Sequence, residues 1–348
     1  MSNYDQFAAA VKEISGGKNV VLLDDLGLPS VYVPINKLKN SEIISGGSEN
    51  THPAFSVNGV EKSRFLYSKY QNIVINGRAY SLSHRDPKTY VNFDQARQAC
   101  EAKGAGFHLG TLAEWAAVAL LTRKMGTMPH GNNNYGGDSA YTYEKGQESA
   151  KDNNKTGRTF TGSGPATWGH DHTQFGIQDM NGNVWEWLGG MRLNEGEIQI
   201  IPYNNAALGS ECDMSASSTL WKAIKNDGSL VAPGTAATLK YDFVSGNIQL
   251  TTGITSAQDA GRGGSYTAMT LASGVTAPEL AKALILYPDE PGKDYGGDYH
   301  WMNNAGERLP IAGGWRSGAA AGVFDLYLGD ARSGSYGGLG FRSAYVEL

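Results

Sequence analysis

Residues 175–187 read Phe-Gly-Ile-Gln-Asp-Met-Asn-Gly-Asn-Val-Trp-Glu-Trp. Trp185 and Trp187 flank Glu186, and alternation along an extended segment puts the two indoles on one face. Just ahead, Asp179, Asn181 and Asn183 join Glu186 in offering side-chain oxygens around a glycine-containing turn. Such a donor set is compatible with Ca2+, with Asn183 and Glu186 foremost. Turn chemistry accounts for the same residues equally well.

Local signals continue on the upstream side. One helix is predicted to open at Asn92 or Asp94 and to run through Phe93, Ala96 and Cys100 to Gly104. A second opens at Thr111, where Glu114 three residues on completes a capping box, and it carries Trp115, Val118, Ala119 and Leu121. Short strands over 64–70, 72–75 and 78–82 are punctuated by Asn58-Gly59 and Asn76-Gly77, dipeptides that favour tight hairpin turns. Apolar spacing at Phe7, Ala8, Val11 and Ile14 predicts a helix over 4–15. Two β-rich runs within 19–35 then meet at Gly27-Leu28-Pro29, and residues 37–51 are polar and read as a linker. The expected organisation is a helix-plus-β-hairpin appendage over 1–50 and one domain over 51–348. A long insertion, about 194–301, holds strand-like runs at 197–203, 238–243 and 247–252 and a helical stretch at 278–285. It either frames a binding face or makes a subunit contact.

The 348 residues carry 29 Lys and Arg against 34 Asp and Glu, a net charge of −5, which excludes nucleic-acid binding by bulk electrostatics. The start lacks the charged and apolar regions of a signal peptide, and apolar runs such as 116–121 are too short to span a bilayer. Synthesis in the cytoplasm is therefore expected. Cys100 and Cys212 have no CxxC spacing and support neither a disulfide framework nor a thiolate metal site. Glycine is the outlier, because 46 residues is about 13% against roughly 7% in ordinary globular chains.

The glycines concentrate near the end. Residues 312–340, AGGWRSGAAAGVFDLYLGDARSGSYGGLG, hold nine of them in 29 positions. Evenly spaced apolar residues, Trp315, Val323, Leu326, Leu328, Leu339 and Phe341 among them, look like scaffold. Between these stand Arg316, Ser317, Ala319, Ala320, Asp325, Tyr327, Gly329, Asp330, Gly334, Tyr336, Gly337 and Gly338, which share no chemical theme. A catalytic site concentrates titratable groups. This set instead mixes charged, aromatic and small side chains as adaptable recognition surfaces do, with Tyr327 and Tyr336 as anchors and Arg316, Asp325 and Asp330 supplying charge.

Taken in chain order, the segments His108 to Trp115, Phe175 to Trp187, Ala312 to Trp315, Ala331-Arg332 and Gly340 to Arg342 resemble those of formylglycine-generating-enzyme-like domains. The resemblance covers roughly residues 60–348 around the insertion. It implies an α+β, C-type lectin fold of that subtype, preceded here by the small β-rich appendage. Enzymes of that family use a pair of thiols and copper near the C-terminal end of the domain, and no cysteine follows Cys212 in this chain. Related iron-dependent sulfoxide synthases gather histidines, for which only His170 and His172 around Asp171 have ligand-like spacing; a polar loop is the competing reading.

The C-terminal segment also resembles the variable region of proteins diversified by retroelements, in particular the phage major tropism determinants and their relatives. Scaffold letters of that pattern fall on Gly313, Gly314, Gly318, Gly322, Val323, Phe324, Leu326, Leu328, Ala331, Arg332, Ser333, Ser335, Gly340, Phe341, Arg342, Ala344, Tyr345 and Val346, within 312–346. In such proteins the positions between are rewritten by adenine-directed copying of a template, and they coincide with the twelve themeless positions. Many of the twelve are Gly, Ala or Ser here, a departure from the bulkier residues usual in the pattern. Residues 68–82 and 128–137 also resemble the phage versions. Trp185, Trp187, Trp315, Arg332, Phe341 and Arg342 are then structural. The implied protein is not an enzyme but a hypervariable receptor-binding protein of a phage tail tip, carried in the virion. Its implied partners are a bacterial cell-surface protein or glycan, other virion tail proteins and further copies of itself. Nucleic acid, membrane insertion and any cofactor beyond a structural Ca2+ are not expected. A fixed-specificity lectin and a formylglycine-type oxidase are the competing classes.

Overall fold

The structure, a computed structural model, describes residues 3–348. Its helices are α1 (Asn3–Ile14), α2 (Asn40–Ile43), α3 (Phe93–Glu101), α4 (Leu112–Met125) and α5 (Glu279–Ala283). The expected capping box at Thr111 forms, and the cap of α3 proves to be a second one. Asn92 accepts from the Gln95 amide at 2.9 Å while Gln95 accepts from the Asn92 amide at 3.1 Å, which fixes Asn92 as the cap of α3. Thr111 and Glu114 exchange the same pair of bonds at 3.2 and 3.0 Å, and Gly126 closes α4 with a left-handed φ of 70°. Helix α4 is the buried axis of the domain. Small alanines at 116, 117 and 119 let neighbouring elements approach on nearly every side, and the Trp115 indole donates to the Val323 carbonyl at 2.7 Å.

Five strands make the first sheet, in the order Val20–Leu23, Pro29–Asn36, Arg64–Ser68, Ser343–Tyr345, Phe107–Leu109, all antiparallel. This overturns the division at residue 50. The hairpin exists, but its second strand pairs with Arg64–Ser68, with Tyr32 opposite Ser68 and Ile35 opposite Phe65. Val33, Ile35, Ile43 and Ile44 lie in the main core, and Lys39 bridges Thr51, so 37–51 is no linker. The cause is the hydrophobic pattern of the hairpin: its second strand carries too much apolar surface to remain outside a core.

A larger sheet carries most of the remaining strands, its main path running Arg262–Ser265, Tyr299–Met302, Leu326–Asp330, Glu307–Ala312, Met191–Asn194, Glu197–Ile200, Lys240–Val244, Asn247–Thr251, Thr270–Leu271, while three short hairpins pair apart from it. Trp185–Trp187 lies beside this path, antiparallel to Glu307–Ala312 and parallel to Leu339–Phe341. The insertion thus supplies most of this sheet's strands. Its last strand, Tyr299–Met302, runs parallel to Leu326–Asp330 with Trp301 opposite Tyr327, and so borders the C-terminal segment directly.

Candidate ligand-binding site

After strand Glu307–Ala312 the chain turns at Gly313 and Gly314, whose φ angles are +111° and +114°. A Cβ at Gly313 would lie 2.5 Å from the Val184 carbonyl oxygen, and one at Gly314 would lie 2.7 Å from the Trp185 ring. Only glycine fits such a close, left-handed passage. The turn lifts Trp315, Arg316 and Ser317 over the end of the Trp185–Trp187 strand. The chain then dips through buried Val323 and Phe324 and returns as Leu326–Asp330, where Leu326 and Leu328 face inward and Tyr327 is half-buried.

Two arginines pin this loop system from below. Fully buried Arg342 donates from Nε to Glu186 Oε2 at 2.7 Å and from Nη2 to Oε1 at 3.0 Å, and its Nη1 reaches the Ser68 and Lys69 carbonyls. Burial pushes the Glu186 carboxyl up, against the pull of Arg342. Arg332 grips Glu307 at 3.0 and 3.1 Å, Asp94 at 2.9 Å and the Met214 carbonyl at 2.8 Å, lying over the Phe93 ring. Trp187 and Phe341 are fully buried.

Two hollows that share Trp185, Arg316 and Tyr336 open above this frame. The larger, about 810 Å³, is lined by Arg316, Ser317, Ala320, Tyr327, Asp330 and Tyr336, with Trp185 and Trp301 as its aromatic walls. The smaller, about 310 Å³, adds Gly337 and Gly338 and, from the body of the domain, Tyr90, Lys151 and Arg158. Trp185, Tyr327, Trp301 and Tyr299 form a row of rings with successive centroids 5.9, 6.5 and 5.7 Å apart. Tyr336 donates to Asp330 Oδ2 at 2.8 Å, and burial raises the Asp330 carboxyl.

Eight of the twelve themeless positions therefore line one connected site. The other four do not. Asp325 is fully buried with both carboxylate oxygens unpartnered among the described residues, and burial, then the nearby Asp298, pushes its pKa well above the usual range. It lines neither hollow, because it lies fully buried just ahead of the strand. Ala319 is exposed but outside both hollows. Gly329 lies under the Tyr327 ring, where a Cβ would be 2.6 Å away, and Gly334 sits against the Ala331 carbonyl. Trp185 and Trp315, expected as scaffold, also face the site: Trp185 walls both hollows, and the Trp315 indole donates to Asp152 Oδ2 at 3.2 Å. Sequence reasoning missed Trp301, Tyr299, Tyr90, Lys151 and Arg158. Alternation of Tyr299 and Trp301 was the one available signal, because it places both rings on one strand face.

The sulfatase-modifying factor enzyme 1-like domain matches residues 34–268, more than half of the chain. The chain belongs to this family. The fold of this sulfatase-modifying-factor-like domain is α+β and C-type lectin-like. Its match begins inside the region expected as an appendage, in keeping with the shared sheet, and ends before the C-terminal segment. Among solved structures the chain is similar to Treponema denticola variable protein 1, at 12% identity and a TM-score of 0.33, over 94% of this chain and 98% of that one. No curated protein matches it.

In this sulfatase-modifying-factor-like domain the family's metal and thiol chemistry has few footholds. Cys100 and Cys212 are free and buried, and burial pushes both thiols up, Cys212 to about 11, so they rest uncharged. His170 is buried and accepts from the Ile177 amide at 2.9 Å, whereas His172 faces the Met128 carbonyl, so the two do not converge as ligands. The calcium expectation at Asn183 and Glu186 meets oxygens already engaged. Asn183 Oδ1 accepts from the Thr159 amide at 2.8 Å and from Asn132 at 3.2 Å. Both Glu186 oxygens face the Arg342 guanidinium, which would repel a cation.

Proposed function

We propose that the joined hollows are a ligand-binding site and that this domain is a hypervariable binding protein rather than an oxidase. One observation carries the reading: eight positions that share no chemistry along the chain come together around one connected concavity, while Val323, Phe324, Leu326 and Leu328 between them are buried in the core. Side chains there can change with little effect on what packs, because all of these positions but Gly338 reach the surface. The uncharged, buried thiols support the non-catalytic half of the reading. The protein would be made in the host cytoplasm and displayed on a phage tail tip, where it recognises a bacterial surface molecule. Many copies per virion would then strengthen a weak single site by about 10² to 10⁴.

Sequencing the neighbouring DNA tests the reading. A nearby imperfect copy of the last coding stretch, differing at template adenines over the lining positions, is the expected result. Absence of any such copy, together with one unvarying binding specificity across isolates, would instead mark a fixed lectin. Copper-dependent conversion of a cysteine peptide would mark an oxidase.

A further inference from the structure

The two hollows differ in chemistry, and the difference points to a ligand class. The larger one is a sheet-borne aromatic platform, because Trp301 and Tyr327 sit side by side on adjacent parallel strands and Trp185 continues the row. Its rim holds hydroxyls of Ser317 and Tyr327 that make no hydrogen bond to any described residue. The smaller hollow is electropositive. Lys151, Arg158 and Arg316 line it against Asp152, and although Arg158 is paired with Asp86, a net positive charge remains. Arg316 is the least committed of these, with its side chain 69% exposed and its nearest carboxylate, that of Asp152, 4.0 Å away. Arg158 also donates to the Gly337 carbonyl at 2.8 Å, which holds the lip of the smaller hollow in place.

We infer that the site takes an acidic glycan: a sugar ring lies on the Trp185, Tyr327 and Trp301 rings while its anionic substituent enters the smaller hollow beside Lys151 and Arg316. This rests on the joined hollows being the ligand site. A sugar matches the platform because it presents a face of C–H groups to the rings and hydroxyls to the rim. A carboxylate or sulfate matches the fork of an otherwise weakly held guanidinium. Volumes of about 310 and 810 Å³ are in the range of small-ligand sites, whereas a standard protein partner covers about 800 Å² of broad surface. Trp185, Trp301 and Lys151 lie outside residues 312–346, so the segment's own variation would tune which acidic glycan binds without changing the class.

The experiment applies the intact protein to an array of carboxylated and sulfated oligosaccharides, each printed beside its methyl-esterified or desulfated counterpart. Tryptophan fluorescence titrations follow on the best pair. Expected is binding to acidic members only, at least tenfold weaker for the neutralised counterpart and weakened by salt, with the carboxylated and sulfated arms identifying the anion. Arg316→Glu should reduce acidic binding tenfold or more with an unchanged melting temperature, and Trp301→Ala should abolish the fluorescence change. Equal binding to neutral counterparts overturns the inference, as does failure to bind any glycan. If glycans fail while a bacterial surface protein binds and Tyr336→Ala weakens it, the site reading stands and the glycan class falls. If bound material is insensitive to both Arg316→Glu and Tyr336→Ala, the site reading falls too.

Discussion

Arg342→Ala separates frame from surface most sharply. Arg342 is fully buried and supplies two charge-assisted bonds to Glu186, so its loss leaves a buried carboxylate facing only the Gln71 amide at 2.8 Å. Removing one partner of a buried pair costs about 3–5 kcal/mol. At about 2–4 °C per kcal/mol for larger domains, melting should fall by roughly 10 °C. Arg316→Ala is the matched surface change, and with a mostly exposed side chain and a carboxylate no nearer than 4.0 Å it should stay within about 0.5 kcal/mol. The double variant Glu186→Gln with Arg342→Met should recover part of the loss, because no charge is left without its partner. Scanning calorimetry on the four proteins reads all of this. A shift under about 2 °C for Arg342→Ala, or an equal loss for Arg316→Ala, would refute the division into frame and surface.

Three further outcomes follow from the same geometry. Stability should fall as pH rises from 6.5 to 8: burial raises the Asp298 carboxyl from 3.8 to about 8, so its contribution is complete at low pH and is lost as pH climbs through the folded value. Buried His52, His170 and His300, lowered to about 4, 4 and 3, work the other way but only below 6.5, so Asp298→Asn should make the melting-temperature slope in this window shallower. Gly314→Ala should cost more than about 1 kcal/mol and shift tryptophan emission, because the new Cβ strains the backbone and displaces the Trp185 ring. A protein beginning at residue 51 should be insoluble or molten by near-UV circular dichroism, because strand Arg64–Ser68 loses one of its two partners and Phe65 the cover of Ile35; a sharp native melt would restore the appendage reading.

What could be read from the sequence was local. The Asn92 and Thr111 caps are set by bonds between residues three apart, and the turn at Asn76-Gly77, with φ of 50° and 77°, by two neighbours. What could not be read was pairing between distant segments. Nothing near Tyr32 announces that it will stand opposite Ser68 and share a 2.9 Å hydrogen bond with Ser343. Chain order likewise placed Asp325 among outward positions, although the strand begins one residue later and Asp325 faces the interior. Trp301 belongs to the site only because the insertion's last strand joins the sheet beside Leu326–Asp330, a long-range fact with no local signature.

The most direct measurement randomises the eight lining positions, Arg316, Ser317, Ala320, Tyr327, Asp330, Tyr336, Gly337 and Gly338, in one displayed library. Folded members are recovered by protease challenge and panned on different bacterial strains. If these positions form a variable surface on an independent frame, most members stay protease-resistant and different strains select different sequences. Collapse of resistance across the library, or the same binding whatever residues stand there, would contradict it.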